Sequence, residues 1–379
     1  MSGPRDISYY QRALAECERN LGADDPRTLT ARNNLAYMYQ ALGYLKQAIP
    51  LFQQALAGRE RVLGRQHSET LWSRSNLAGA YYAAGMLGEA IPLFEQVLSD
   101  RRALVGADHP DTLAAGSNLA MAYKRAGKLE LAISLLQQVA DDSSRVLSPD
   151  NESTLIARTN LAGAYRETRD LARAIPLHEE VVRDSVRVFG ESDPRTLMYR
   201  NNLAQAYQAR GDLVQAVSLF ESILAARQRI LGADHPETLT SLDNLACAYV
   251  AAGDLARAIP LQRRSTDDHL RVLGADHPDT LNSRNNLAHA CAAAGDLRQA
   301  IALYEQNASE TRRILGADHP QTLVAENNVA ATYQEAGDLG RAITVWKRTL
   351  DECVRVLGRD HPITIAVIRN LREAREAAP

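Results

Sequence analysis

The stretch LGADHPETLTSLDNLACAYVAAGDLARAIPLQRRSTDDHLRVLGADHP, Leu231–Pro278, begins and ends on the same six residues, and LGADHP stands a third time at Leu315–Pro320. The interval is 42 residues in each case. Followed in both directions, it spans the chain. Threonine recurs at Thr28, Thr70, Thr112, Thr154, Thr196, Thr238, Thr280, Thr322 and Thr364, and asparagine at Asn34, Asn76, Asn118, Asn160, Asn202, Asn244, Asn286, Asn328 and Asn370, with no gap in either series. A fixed interval of this length marks one supersecondary unit stacked on copies of itself.

Within a unit, Leu29, Leu35, Ala36 and Tyr39 fall on one helical stripe. After a break at Gly43, Ala48, Ile49, Phe52, Ala55 and Leu56 form a second. Each unit is therefore a pair of helices. Gly253 supplies a left-handed helix end and Asp254 the next N-cap; Gly232 ends the second helix and Pro236 suits the first turn of the following one. The short turns make the helices antiparallel, and alanines such as Ala36 and Ala48 let them approach closely. A single pair leaves an apolar face bare, so neighbours must stack into an all-α solenoid. Pro50, Pro92, Pro176 and Pro260 fall at about the sixth position of their helices, where a slight bend or an early 3-10 turn is expected. The predicted organisation is one solenoid over residues 1–379: a lone second helix in 1–22, eight helix pairs in 23–358 and a capping helix in 359–379.

Composition excludes several functional classes. The 379 residues carry a net charge of -3 with 23% charged and 45% hydrophobic residues. Mean hydropathy is -0.29 and no long uncharged apolar run occurs, which predicts a soluble chain without a membrane span. With no global basic field, nucleic acid and anionic membrane surfaces are poor partners. Cys17, Cys247, Cys291 and Cys353 show no CxxC spacing and no signal peptide precedes them, so a cytoplasmic location is expected. Four lysines against 39 arginines hint at a high-GC genome.

Leu35, Ala36, Tyr39, Gly43, Ala48, Phe52 and Ala55 match the signature spacing of tetratricopeptide repeats. The 42-residue LGADHPxTL and NLAxxYxxxG unit is similar to the long repeats of kinesin light chains and of many bacterial regulatory proteins. The resemblance implies a right-handed superhelix with first helices lining a concave groove and second helices outside. It implies no particular partner. The heptad coiled coil that precedes the repeats of kinesin light chains has no counterpart here, so a transport role is not expected.

Asn34 lies well away from the stripe that packs on its own second helix, so it faces the groove or the next first helix. A side-chain amide donates and accepts together, so a row of them can hold successive peptide units of an extended chain. The row resembles the asparagine ladder in the repeat superhelix of the O-linked N-acetylglucosamine transferase. First helices about 10 Å apart against an extended chain rising about 3.3 Å per residue put one rung at every third ligand residue. The alternative is that each asparagine ties its helix to the neighbouring first helix. Selectivity would come from variable groove positions, among them Trp72, Tyr82, Met121, Lys124, Arg125, Arg166 and Gln208. Lys124, Arg125 and Arg166 beside Met121 and Ile156 would suit a segment with an acidic residue next to a bulky apolar one. Their alternative is a solvated cluster paired with Glu167.

The six loop histidines, His67, His109, His235, His277, His319 and His361, recur once per unit, too far apart to share a metal ion, and read as helix-entry residues. HExxH, GxSxG, P-loop and GxGxxG motifs are absent. Cys247 and His289 lie in successive units and form the one conceivable nucleophile and base. No cofactor is implied. The sequence thus predicts a non-catalytic interaction module binding an extended segment, with a regulatory region of a larger signalling protein as the second reading. The apolar Ile7, Tyr10 and Leu14 of the first helix mark an edge through which a homodimer would form.

Overall fold

The computed structural model describes residues 7–377. Every regular element among them is an α-helix. After α1 (Ile7–Leu21), first helices α2 (Pro26–Ala41), α4 (Ser68–Ala83), α6 (Pro110–Arg125), α8 (Glu152–Glu167), α10 (Pro194–Arg210), α12 (Pro236–Ala251), α14 (Pro278–Ala293), α16 (Pro320–Glu335) and α18 (Pro362–Ala377) alternate with second helices. The latter are α3 (Leu45–Leu63), α5 (Leu87–Val105), α7 (Leu129–Leu147), α9 (Leu171–Phe189), α11 (Leu213–Leu231), α13 (Leu255–Leu273), α15 (Leu297–Leu315) and α17 (Leu339–Leu357). Both series start every 42 residues without slippage. The parts of the 1–22 and 359–379 segments that fall on 1–6 and 378–379 lie outside the described residues.

The chain divides into two compact units, residues 1–202 and 203–379, the division falling inside α10. In each, a second helix packs against the first helices on either side of it. The alanines of the close approach, such as Ala36, Ala48, Ala216 and Ala246, are fully buried, with Phe52, Phe94, Leu136, Phe220, Tyr304 and Trp346 filling one repeated core slot.

The junctions explain the constancy of the interval. Gly232 ends α11 at φ 88°, in the left-handed region, and the His235 side chain caps α12 by accepting from the Glu237 N–H at 3.2 Å. His67, His109, His277, His319 and His361 make the same 3.2 Å bond, as helix-entry residues should. The recurrent threonine is buried beneath this turn; its hydroxyl donates to the preceding helix end from Thr112 to Gly106 O (2.7 Å) and Thr280 to Gly274 O (2.8 Å), and one turn further back from Thr154 to Ser143 O (3.1 Å), while those of Thr28, Thr238 and Thr364 have no partner. Tyrosine hydroxyls join several first helices to the second helix before them: Tyr123 donates to Glu95 (2.6 Å) and Tyr165 to Gln137 (2.8 Å). Exposed loop aspartates pair with the next second helix, Asp24 with Arg61 and Asp108 with Arg145; where Gln66 replaces the aspartate, Ala103 replaces the arginine.

One sequence expectation is amended. The helices containing Pro50, Pro92, Pro176 and Pro260 run through as uninterrupted α-helix with no 3-10 turn. A proline one turn into the helix loses a single donor, and the exposed carbonyl it leaves is reached by water. In the divergent fourth repeat, Ser148 (φ 82°) and Arg169 (φ 60°) hold the left-handed conformation that glycine takes elsewhere, so the backbone is kept at the cost of strain. Asn151 replaces the capping histidine and accepts from Ser153 N at 2.9 Å.

In α18, Val367, Leu371 and Ala374 are buried while Arg372 and Arg375 are exposed, together with Ile365 and Ile368. In α1 only Leu14 is buried; Ile7 and Tyr10 are half-buried and Tyr9 is exposed.

Candidate functional site

The recurrent asparagines lie on the first helices, on the face away from their own second helices. Asn34 and Asn118 are exposed, and Asn76, Asn160, Asn202, Asn244, Asn286, Asn328 and Asn370 are half-buried. They divide by hydrogen bonding. Asn76 Nδ2 donates to Asn33 Oδ1 (3.2 Å), Asn328 to Asn285 (3.0 Å) and Asn370 to Asn327 (3.1 Å). In each case the acceptor stands one residue before the ladder asparagine of the preceding repeat. Where that position is Ser75 or Ser117, the next ladder residues, Asn118 and Asn160, carry no side-chain hydrogen bond. The lateral tie is therefore made by an Asn-Asn pair and lost when the second amide is missing. Asn34 likewise carries no side-chain hydrogen bond among the described residues. Sequence reasoning took Asn33 as one variable groove position among several; the NN dipeptides at Asn33, Asn285 and Asn327 were the signal for its partner role.

In residues 1–202, α2, α4 and α6 enclose about 360 Å³ lined by Tyr37, Asn76, Gly79, Tyr82, Asn118 and Met121. Four of the expected site residues thus share one concavity. Gly79 forms part of its floor, and a Cβ built there meets nothing within 4 Å. Apolar side chains stand exposed along the same face at the Trp72 slot: Trp72, Ile156 and Met198 in residues 1–202 and Val324 in residues 203–379. Trp72 is 42% exposed, its ring 5.4 Å from the guanidinium carbon of the buried Arg59. Burial lowers the pKa of Arg59, and Glu69 opposes that shift from 2.8 Å, so the residue is a fixed buried cation beneath the surface ring.

The basic group does not present free charges. Lys124 pairs with Glu167 at 2.9 Å, and Arg125 donates to Tyr82 O at 2.6 Å with its guanidinium 4.8 Å from the Tyr82 ring. Arg166 is half-buried on α8, where its charge adds to burial in pushing His178 down to about 4. Gln208 is half-buried on α10. The solvated-cluster alternative thus describes Lys124, and Arg125 is committed to Tyr82.

Cys247 is held among buried neighbours close to Asp243. Burial first and that carboxylate second push its thiol up to about 11, the reverse of an activated nucleophile. His289, exposed on α14, makes no hydrogen bond to it. Among the described residues no group of His, Cys, Asp or Glu has the geometry to hold a metal ion, and no helix is long and apolar enough to cross a membrane. All four thiols are free.

Helix pairs capped and locked at a 42-residue interval, with a small-residue seam between them, are the signature that tetratricopeptide repeat models match over residues 7–61, 29–103, 75–141, 111–185, 194–268, 258–309 and 322–363. The chain belongs to the tetratricopeptide repeat family. No curated protein matches it. Among solved structures, this tetratricopeptide repeat protein is similar to a kinesin light chain-like array of nearly identical repeats from Podosopora anserina. The identity there is 31% over 54% of this chain and 97% of that one, with TM-score 0.50. BtubC from P. vanneervenii is 23% identical over 61% and 92%, TM-score 0.53, and the quorum sensor NprR from B. thuringiensis is 13% identical over 91% and 97%, TM-score 0.59. At those lower identities the likeness is one of fold alone. For the tetratricopeptide repeat array described here, the open amides and the exposed apolar row remain the chemistry available on the first-helix face.

Proposed function

We propose that this tetratricopeptide repeat protein is a non-catalytic interaction module that holds an extended polypeptide segment along its first helices. The observation that carries the proposal is a group of ladder amides left without a side-chain hydrogen bond, among them Asn34, Asn118 and Asn160, beside the exposed Trp72 and Ile156. An extended chain offers one N–H and one carbonyl per residue, and an open asparagine amide answers both. With a net contribution of about 1 kcal/mol per hydrogen bond, a few rungs and a buried apolar side chain reach micromolar affinity after the ordering of the segment is deducted. Met121, Tyr82 and Gly79 supply a pocket for a side chain between rungs.

The test uses a displayed library of random decapeptides selected on the full chain, followed by titration of an enriched peptide. Asn118→Ala with Asn160→Ala removes two open rungs and no internal bond, so binding should weaken at least tenfold at unchanged melting temperature. Gly79→Trp, at a position where an added Cβ meets nothing within 4 Å, should fill the concavity and weaken binding. No enrichment, or equal affinity of the double variant, overturns the ladder.

A regulatory role within a signalling protein is the second reading. It is favoured by fold likeness to the quorum sensor NprR and to a Rap protein solved in complex with Competence and Sporulation Factor, the latter 12% identical with TM-score 0.52. Pairing of two copies through α1 belongs to the same reading, because Tyr9 is exposed and Ile7 and Tyr10 are half-covered. Sedimentation of the chain and of Tyr9→Lys across a concentration series tests it; a monomer at every concentration refutes the pairing.

A further inference from the structure

On the first-helix face of residues 203–379, α14, α15 and α16 enclose a second cavity of about 350 Å³. Leu281, Leu315, Val324 and Ile363 give it apolar walls, and the bonded amides Asn285 and Asn328 form one side. A single bound water fills roughly 30 Å³, so this volume is of the size that takes a ligand group.

Asn307 of α15 reaches this cavity from behind the first helices. It is 5% exposed, its side-chain oxygen is buried without a partner, and its amide makes no hydrogen bond. The corresponding residues of other repeats are Ala55, Val97, Val139, Val181 and Ile223, all apolar. Where the slot is polar again, at Ser265 and Thr349, the hydroxyl finds Asp243 at 2.6 Å or Glu326 at 3.1 Å. Asn307 therefore bears the penalty of a buried polar group with no compensation inside the fold. A group from outside would supply it.

We propose that the cavity receives a phenol, the side chain of a tyrosine in the segment held along the ladder, with its hydroxyl on the Asn307 amide. A hydroxyl both donates and accepts, so it satisfies that amide whichever way the amide is turned, while the ring meets the apolar walls. An anionic ligand is disfavoured: no lysine or arginine lines the cavity, and its one charged lining residue is Asp276. Phosphorylation of the tyrosine, which adds a charge of about -2, would then release it. The assignment of the phenol to a tyrosine rests on the proposed function above; the choice made by the cavity does not.

Titration of p-cresol, toluene and p-tolyl phosphate into the isotope-labelled full chain, followed by amide NMR shifts, separates these claims. The wild type should bind p-cresol at least fivefold more tightly than toluene and show no saturable response to p-tolyl phosphate. Asn307→Val installs the residue found in sister repeats and should make toluene the better ligand; Val324→Trp, on an exposed position, should abolish both. Equal affinity for p-cresol and toluene, saturation by neither, or a preference that survives Asn307→Val overturns the proposal. These small probes touch no open rung, so their failure leaves the peptide ladder standing and its failure leaves them standing.

Discussion

In α3 the face turned toward the first helices carries Phe52, Ala55, Leu56 and Arg59, whereas in α13, five repeats on, the same slots hold Gln262, Ser265, Thr266 and His269, every one of them buried. The helix begins and ends at the same places in the repeat, so the interior of this fold tolerates a polar core. What permits it is one carboxylate. Asp243 accepts from Gln262 (2.7 Å), Ser265 (2.6 Å) and Ser283 (3.0 Å). The same substitution has a consequence on the binding face: Asp243 stands where Asn33 accepts the lateral bond from Asn76. Its acceptor is spent on the core, and Asn286 carries no side-chain bond. In α9 the slot is His178, 2% exposed and without a hydrogen bond on either nitrogen, a polar replacement with nothing to answer it. Repeat geometry is set by caps, small residues and turns, while the large core residues vary, their polar groups paired in α13 and left unpaired at His178.

The sharpest way to break the contrast is Asp243→Leu, which takes the shared acceptor from three buried donors at once and leaves them only their contacts with one another and with Thr266 and His269. It should cost about 2–3 kcal/mol, somewhat less than the loss of about 3–5 kcal/mol for Phe52→Ala. Denaturant unfolding followed at Trp346 reads the first and at Trp72 the second; a loss under about 1 kcal/mol for Asp243→Leu would remove the carboxylate from its central place.

Next comes pH. His178 titrates near 4 in the fold against an ordinary 6.5 when unfolded, because burial first and the Arg166 charge second disfavour its cation. Protons therefore bind the unfolded chain first. Stability is full above about pH 6.5, falls as pH drops and levels off below about 4, a total loss of about 3 kcal/mol. His178→Phe, the residue of sister slots, should remove that part of the acid sensitivity, measured as the difference in unfolding free energy between pH 7 and pH 4.

Relief of backbone strain is smaller. Arg169→Gly and Ser148→Gly should each stabilise by up to about 1 kcal/mol in unfolding experiments, part of the gain being returned as unfolded-chain entropy. Smallest is the lateral tie. A double-mutant cycle on Asn33 and Asn76 should show about 0.5–1 kcal/mol of coupling, and the same cycle on Ser75 and Asn118 should show none.

Most of the fold was legible because its determinants are local. A histidine, asparagine or aspartate side-chain cap and a buried threonine sit at the start of each first helix from α2 to α18, so a single interval predicted each helix start. The asparagine row was legible as a face, since helical geometry alone puts it away from the intra-repeat seam. Its division into tied and open amides was not, because that depends on a contact between residues 43 apart and on the neighbour being Asn and not Ser. Asn307 escaped notice for a similar reason. Groove positions were sought on first helices, and a second-helix residue reaches that face only where its neighbours leave a gap. The engagement of Arg125 with Tyr82 likewise needed coordinates, because the acceptor is a backbone carbonyl one repeat away.

The central claim is that the open amides hold a polypeptide segment. The most direct measurement is the dissociation constant of a library-selected decapeptide for the full chain and for Asn118→Ala with Asn160→Ala, taken beside their melting curves. An affinity reduced at least tenfold with superimposable melting is the expected result. Matching affinities would contradict the claim and leave those asparagines as surface residues of a stacked helical array.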